Sequence, residues 1–311
     1  VGRAEAEHVF APEITAGQLR AVWVPFERDR YFKRFFKTFR PALGLVMEVE
    51  IWPRMIMSAR KHGVPLFLCN AQYPSKSVTR DFAHGVGLRA RLMRGLAGAF
   101  VKSDLQRQRF LKTGMENIEI TGELRFEQPI PAALVTAGEA ARAALAPARP
   151  VIALASVVEG EDAAYIPAIS KALSGTCKPF FIYIPRAPER FEESFTLLTQ
   201  AGLRVAKRSD VFDETLSLKS QGDFDVLLGN SLGEMYFYLA ACDAALVGGG
   251  FVDKGAHNII EPLALRKPVM VGPSIWTIEY PAVEAQEAGV LQILPDAAAL
   301  ETAFLRIAEN F

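Results

Sequence analysis

Cysteine is scarce and scattered in this sequence: Cys69, Cys177 and Cys242 are the three present. No two of them have metal-ligand or framework spacing, so a disulfide-stapled scaffold is excluded and a reducing compartment is expected. Histidine is equally sparse, four residues far apart, and leaves no zinc pattern, so no metal is expected. An excess of charge of one sign is missing too. Thirty-five basic residues balance thirty-five acidic ones, so no global field draws a nucleic acid and only local patches can matter. Long hydrophobic runs are absent: nothing approaches the roughly 18 apolar residues of a membrane-spanning helix. No signal peptide is recognisable, and Val1–Phe10 reads as the interior of a helix. The chain is therefore expected to be a segment of a longer protein.

What is present is enough apolar material for two cores, with 50% of 311 residues hydrophobic. Strand-like apolar runs alternate with helix-like segments, which predicts an α/β protein with parallel sheets. Expected strands are Arg20–Val24, Leu43–Glu48, Pro65–Asn70, Gly98–Val101 and Ile118–Thr121. They continue with Val151–Ala155, Phe180–Ile184, Leu203–Ala206, Val226–Leu228, Ala244–Val247 and Pro268–Val271. Glu127–Pro150 holds four prolines and an alanine-rich helix, Pro131–Leu145. That composition suits a linker between domains over residues 1–135 and 148–311. Two Rossmann-like domains facing each other across a cleft are the architecture this predicts.

The stretch from Val247 to Ser274 (VGGGFVDKGAHNIIEPLALRKPVMVGPS) reads as buried strand, glycine-rich turn, polar loop, helix and second buried strand. With the helix opening at Glu261-Pro262, Glu261 stands at the cap position, where Glu is a poor cap. A carboxylate there, beside Asn258, suits the vicinal diol of a ribose, and free helix N–H groups suit a phosphate. Three further segments place a strand end before a loop or helix start: 153–163, 183–194 and 227–237. In open parallel sheets such ends converge on one crevice.

Within these segments, Ser231-Leu232-Gly233-Glu234 and Ser156 with Glu159 have the form of capping boxes. Each pair either simply starts a helix or presents amides to a phosphate. Arg186, after Pro185, is either a fixed guanidinium for phosphate or carboxylate or a surface partner of Glu189. Glu48 and Glu50 share one face if their strand continues, either as two functional carboxylates or as a solvated edge. In Arg28–Arg40, Phe32, Phe35, Phe36 and Phe39 form a stripe opposite Arg30, Lys33, Arg34, Lys37 and Arg40. The stripe either packs on the domain's own sheet or lays the helix on an anionic membrane surface. Arg89, Arg91 and Arg94 form a second basic cluster.

Taken in order, MEVEIWPRMI (47–56), LFLCNAQYPSKS (66–77), EITGELRFE (119–127), ALASVVEGED (153–162), IPRAPERFEE (184–193), LLGNSLGEM (227–235) and 247–273 resemble one family. It is that of the 3-deoxy-D-manno-octulosonic acid (Kdo) transferases of lipopolysaccharide and lipid A biosynthesis, glycosyltransferases of GT-B fold. The resemblance implies an inverting enzyme that transfers Kdo from CMP-Kdo to a lipid A precursor, lipid IVA. The reaction would take place at the cytoplasmic face of the bacterial inner membrane, with no cofactor and no nucleic-acid partner. It implies CMP binding by Pro185 and Arg186, by Leu232, Gly233 and Glu234, and by Asn258, Ile259, Ile260 and Glu261. It further implies transition-state stabilisation by Glu48 and Arg125, with Ser156 and Glu159 as a possible donor-site loop.

Several positions depart from the family's usual pattern. Arg125 stands where Lys is usual, keeping the charge but not its geometry. Gln72 and Pro74 interrupt a segment that usually carries Arg, Val158 replaces His, and Ala256 replaces Gly. The family's membrane anchor and the Ser-Val-Gly-Glu motif bearing its general base are expected ahead of Val1, and its last helices beyond Phe311. The alternatives are a GT-B enzyme using a UDP-sugar, or a non-catalytic fragment or binding protein.

Overall fold

The computed structural model describes residues 2–83, 85 and 87–309. They form two units, dividing between Gly122 and Glu123, each built on one wholly parallel sheet. The first has β1 (Gly44–Met47), β2 (Leu66–Ala71), β3 (Gly98–Val101) and β4 (Ile118–Ile120), in that spatial order. Parallel neighbours cannot be joined by a hairpin, so each connection crosses over through helical segments such as Pro53–Lys61 and Asp104–Leu111. Phe32 and Phe36 of the helix Asp29–Phe39 lie in the core with Ile56, Leu68 and Val101. The stripe thus packs on its own domain through Phe32, Phe35 and Phe36, while Phe39 and the basic Arg30, Lys33, Arg34, Lys37 and Arg40 stay exposed. The strand expected at Arg20–Val24 does not form. Trp23 is 69% and Val24 64% exposed, because no described strand offers that segment a ladder.

The second unit has β5 (Val151–Val157), β6 (Phe180–Pro185), β7 (Val205–Lys207), β8 (Val226–Leu228), β9 (Ala244–Val247), β10 (Val269–Val271) and β11 (Leu291–Ile293). Their order is β11-β10-β9-β5-β6-β8-β7, all parallel. β5, β6, β8, β9 and β10 are buried along almost their whole length, which is why they read in sequence as unbroken apolar runs. One core packs on each face of the sheet, around Tyr165, Phe181 and Phe304 on one side and Phe180, Phe237 and Leu239 on the other. β11 is absent from the expected set. It is a three-residue edge strand with Gln292 exposed at its centre, too short and too polar to carry a pattern.

Residues 123–147, which composition assigned partly to the first domain and partly to a linker, belong to the second unit. The helix Ala132–Leu145 packs on the helix Met235–Ala241, with Leu134, Ala137 and Ala141 entering the core. Its alanines and Gly138 act as a close-packing face. A Cβ on Gly138 would collide with the Phe237 carbonyl and lie 2.6 Å from the Ala240 Cβ.

Gly to Ala inside a helix ordinarily stabilises by roughly 0.5–1 kcal/mol. Here Gly138→Ala is expected to destabilise by about 1–3 kcal/mol, as overpacking does. A lowered denaturant midpoint with an unchanged m-value is the result to look for.

Candidate functional site

The strand order of the second unit reverses at β5, so the carboxyl ends of β5 and β9 open side by side, where ligands of open parallel sheets bind. The turn after β5 departs from its ladder at Ser156, whose φ is 58°. It then folds Glu161 inward until no part of it meets solvent. The Oε1 of Glu161 accepts from the backbone N–H of Gly249 (2.8 Å) and of Phe251 (3.1 Å) and from the Tyr165 hydroxyl (2.8 Å). Its Oε2 accepts from the N–H of Val158 at 3.1 Å. The capping box expected of Ser156 and Glu159 is not formed. Glu159 is exposed, and the helix Asp162–Leu173 starts after Glu161 with no side-chain cap. Gly248 is required by this junction, since a Cβ there would stand 2.5 Å from the Ser156 carbonyl and 2.7 Å from Glu161 Oε2.

The glycine turn passes into a loop anchored by the His257 N–H, which donates to the Gly248 carbonyl at 2.9 Å. Asn258 Oδ1 accepts from the Ile260 N–H at 3.0 Å and opens a short helix, Ile260–Ala264. That helix begins two residues earlier than the sequence implied. Ile259 is its cap, so Glu261 lies in the first turn and Pro262 is buried. Burial raises the carboxyl pKa of Glu261 above its ordinary value, against the pull of Arg125, an Asn258 hydrogen bond and Arg186. Burial also lowers the pKa of His257, helped by Arg186 and Lys254. The His257 Nε2 is buried and has no hydrogen-bond partner.

At the end of β6, Pro185 is buried and Arg186 exposed. Arg186 does not pair with Glu189. The inward arginine is Arg190, which binds Asp162 at 2.6 Å and Glu193 at 3.3 Å, while Tyr183 donates to Asp162 at 2.7 Å. After β7, the buried Arg208 binds Glu234 at 2.7 Å. Ser231 donates to the other oxygen of Glu234 at 2.5 Å and also meets the Tyr238 hydroxyl at 2.5 Å. Ser231 and Glu234 therefore bond to each other and not to backbone amides, so this capping box is absent as well. Leu232 and Gly233 stand exposed on the turn. Arg190 and Arg208 were missed by sequence reasoning. Their signal, an arginine just past an apolar strand with a carboxylate partner distant in sequence, is visible only in three dimensions.

In the first unit, β1 stops at Met47 and Glu48 turns into the left-handed region, with φ 56°. The alternation that would pair Glu48 with Glu50 is broken there, and Glu50 accepts from Trp52 Nε1 at 2.9 Å instead. Glu48 meets the ends of the next two strands. Asn70 Nδ2 donates to it at 3.2 Å, and Lys102 Nζ lies 3.2 and 3.3 Å from its two oxygens. Lys102 is only 4% exposed, and its terminal charge is spent on this carboxylate and on Gln72. Arg125 lies in the second unit, exposed on the turn Leu124–Glu127 and acting on Glu261. In the second basic cluster, Arg89 bonds the Val49 carbonyl and Arg94 the Thr113 carbonyl, so both serve the fold. Among the described residues no group of three or more His, Cys, Asp or Glu could hold a metal ion.

The site thus gathers Arg125, Arg186, Lys254, His257, Asn258 and Glu261 in one place, with Glu234 and its partners on an adjoining turn. Comparison with known proteins agrees with the family that the motifs resemble. Residues 1–128 match the family described as 3-deoxy-D-manno-octulosonic-acid transferase (kdotransferase). A 3-deoxy-D-manno-octulosonic acid transferase of Bordetella pertussis is 39% identical over 312 residues, covering 99% of this chain and 71% of that protein. One of Haemophilus influenzae is 29% identical over 292 residues, covering 90% of this chain and 65% of that protein. Among solved structures, UDP-GlcNAc 2-epimerase from Neisseria meningitidis bound to UDP-GlcNAc aligns with a TM-score of 0.59 at 13% identity, over 90% of this chain and 72% of that one. At that identity the likeness is one of fold, the GT-B-like α/β class that the sequence implied. The chain belongs to the family of 3-deoxy-D-manno-octulosonic acid transferases.

Proposed function

We propose that the protein transfers Kdo from CMP-Kdo to a lipid A precursor in lipopolysaccharide biosynthesis, with inversion at the anomeric carbon. The observation that carries the donor half is the gathering of cations around one half-buried carboxylate, Arg125 and Arg186 on Glu261 and Arg186 and Lys254 on His257. A CMP-sugar needs a hydrogen-bond acceptor for its ribose diol and positive charge for its phosphodiester. Glu261 and Asn258 supply the first, Arg186 and Arg125 the second. Pro185 fixes where Arg186 leaves the sheet. The exposed Leu232–Gly233 turn, with Glu234 held by Arg208 and Ser231, supplies a second contact for the nucleotide, as Ile259 and Ile260 do for the loop that bears Glu261. Ser156 shapes the turn after β5, and Glu159 stands exposed on it, within reach of the sugar half.

In the reaction, the acceptor hydroxyl oxygen bonds to the anomeric carbon as the bond from that carbon to the phosphate oxygen breaks. CMP leaves with the electron pair, and the hydroxyl proton goes to a base. Glu48 is proposed to stabilise the positive charge that develops on the sugar. Its pairing with Lys102 and Asn70 suits a fixed carboxylate better than a proton acceptor, and no residue of this chain is assigned as the base. For the acceptor and the inner-membrane face, the support is the exposed basic side of Asp29–Phe39, together with Trp23 and Phe26 exposed in the segment that precedes the helix. Such a surface suits an anionic lipid interface. No described helix is long and apolar enough to cross a membrane.

CMP is expected to raise the midpoint of thermal unfolding, and UDP at the same concentration to leave it unchanged. Equal protection by both, or by UDP alone, would overturn the donor assignment. Glu48→Gln should lower kcat about a hundredfold, with the KM for CMP-Kdo little changed.

The ribose contact needs Glu261 ionised, and burial holds its carboxyl protonated to higher pH than the ~4.3 of a free Glu. CMP affinity should therefore begin to fall at a higher pH than protonation of an exposed carboxylate would produce. Glu261→Gln should remove that limb and weaken CMP about tenfold at neutral pH. The stability sign is opposite. A carboxyl with a raised folded pKa contributes stability fully below its unfolded pKa and loses it as pH rises through the folded one. The ligand-free Glu261→Gln protein should accordingly melt higher at pH 7 than the parent. CMP titrations and melting curves across pH 4–8 check both.

A further inference from the structure

We propose that Glu161 is the positioning residue of the donor site. Its carboxylate fixes the Gly248–Phe251 turn and, through that turn, the His257–Glu261 segment, so nucleotide affinity depends on a side chain that does not touch the nucleotide. The inference rests on the donor reading of the second unit given above.

Glu161 lies where the strand order reverses, at the floor of the crevice between β5 and β9. A carboxylate with no exposed surface is heavily penalised unless its lone pairs are filled, and this one is filled by three backbone N–H groups and a phenol. Two of those N–H groups, on Gly249 and Phe251, belong to a turn some 90 residues away in sequence. Stability alone would be served as well by a neutral cap of the next helix, which Glu161 does not provide.

The Gly248 carbonyl, at the start of the clamped turn, accepts the N–H of His257, and a Cβ on Gly249 would come within 3.2 Å of the His257 ring. Asn258 and Glu261 follow within four residues. A shift of the turn is thus delivered directly to the residues proposed to hold the ribose. Tyr165 completes the coordination of Oε1 from the helix Asp162–Leu173, and its ring meets that of Phe251 edge-on at 5.6 Å. Removing its hydroxyl alone leaves that ring contact and both N–H bonds from the turn in place, which separates positioning from plain stabilisation.

The test compares Glu161→Gln, Tyr165→Phe and Gly248→Ala in the full chain by calorimetric titration with CMP, steady-state KM values and amide hydrogen exchange. Glu161→Gln loses the charge and sets an NH2 against an N–H. It should weaken CMP about tenfold, raise the donor KM but not the acceptor KM, and speed exchange at Gly249 and Phe251. Gly248→Ala, whose Cβ presses on the same carboxylate from the turn side, should act in the same direction, and it decides the matter if Glu161→Gln does not fold. Tyr165→Phe should lower the melting temperature yet keep CMP affinity within about twofold, because it removes one hydroxyl bond to the carboxylate and keeps the ring contact with Phe251 and both N–H bonds from the turn. Unchanged exchange at Gly249 and Phe251, or an equal loss of CMP affinity in Tyr165→Phe, overturns the proposal. If the parent protein fails to bind CMP, it is the donor reading that falls, and the exchange measurement still decides whether Glu161 holds the turn.

Discussion

Both units are built only from parallel strands, and that constraint determines where everything else can be. Each strand must be re-entered from the same end, so every connection begins at one edge of the sheet, where the backbone leaves its ladder with unpaired polar groups. In the second unit the order reverses at β5, which sets the turn after β5 against the turn after β9 with nothing between them. Their N–H groups must be satisfied without a strand. The carboxylate of Glu161 does this, and the glycines of 248–250 are what let two backbones approach it. The polar residues proposed to bind the donor radiate from that junction, from the ends of β6 and β9 and from the turn before Met235.

Much of this was legible in the sequence, and the reason is burial. Gly98–Val101, Val226–Leu228 and Ala244–Val247 form strands with the bounds that their apolar runs predict, because a strand buried on both faces has no polar interruption. The errors arise where burial is partial. Arg20–Val24 has strand composition but no neighbour, and β11 has a neighbour but no composition. The alanine-rich segment read as a linker because small residues mark either mobility or close packing. Only the partner helix Met235–Ala241 decides between them.

At the proposed site, the structure often turns the side chains of the motif loops differently from what their spacing implies. Glu159 has the capping-box spacing, yet the turn faces it to solvent and buries Glu161. Arg186 and Arg190 lie on one short loop, and the structure separates them into an exposed cation and a buried ion-pair partner. Glu48 and Glu50 alternate on paper, but the left-handed turn at Glu48 ends the alternation. Lys102 had no local signal at all, since its meaning depends on three adjacent strand ends meeting. Spacing along a chain encodes periodicity within an element. It does not encode which way the chain turns when the element stops.

The cluster around Glu261 also explains why a chain of zero net charge need not have a neutral site. Arg125 and Arg186 act on Glu261, and Arg186 and Lys254 on His257, so basic side chains from three segments meet at this loop. His257 adds a buried nitrogen without a partner, which folding alone would not favour. The donor proposed above would answer both features, since its phosphodiester brings negative charge and its ribose brings hydroxyls. The constraint that makes the fold, one edge for every crossover, brings these groups to a single edge of the second unit's sheet, and a ligand that pairs them there would stabilise the folded chain by mass action.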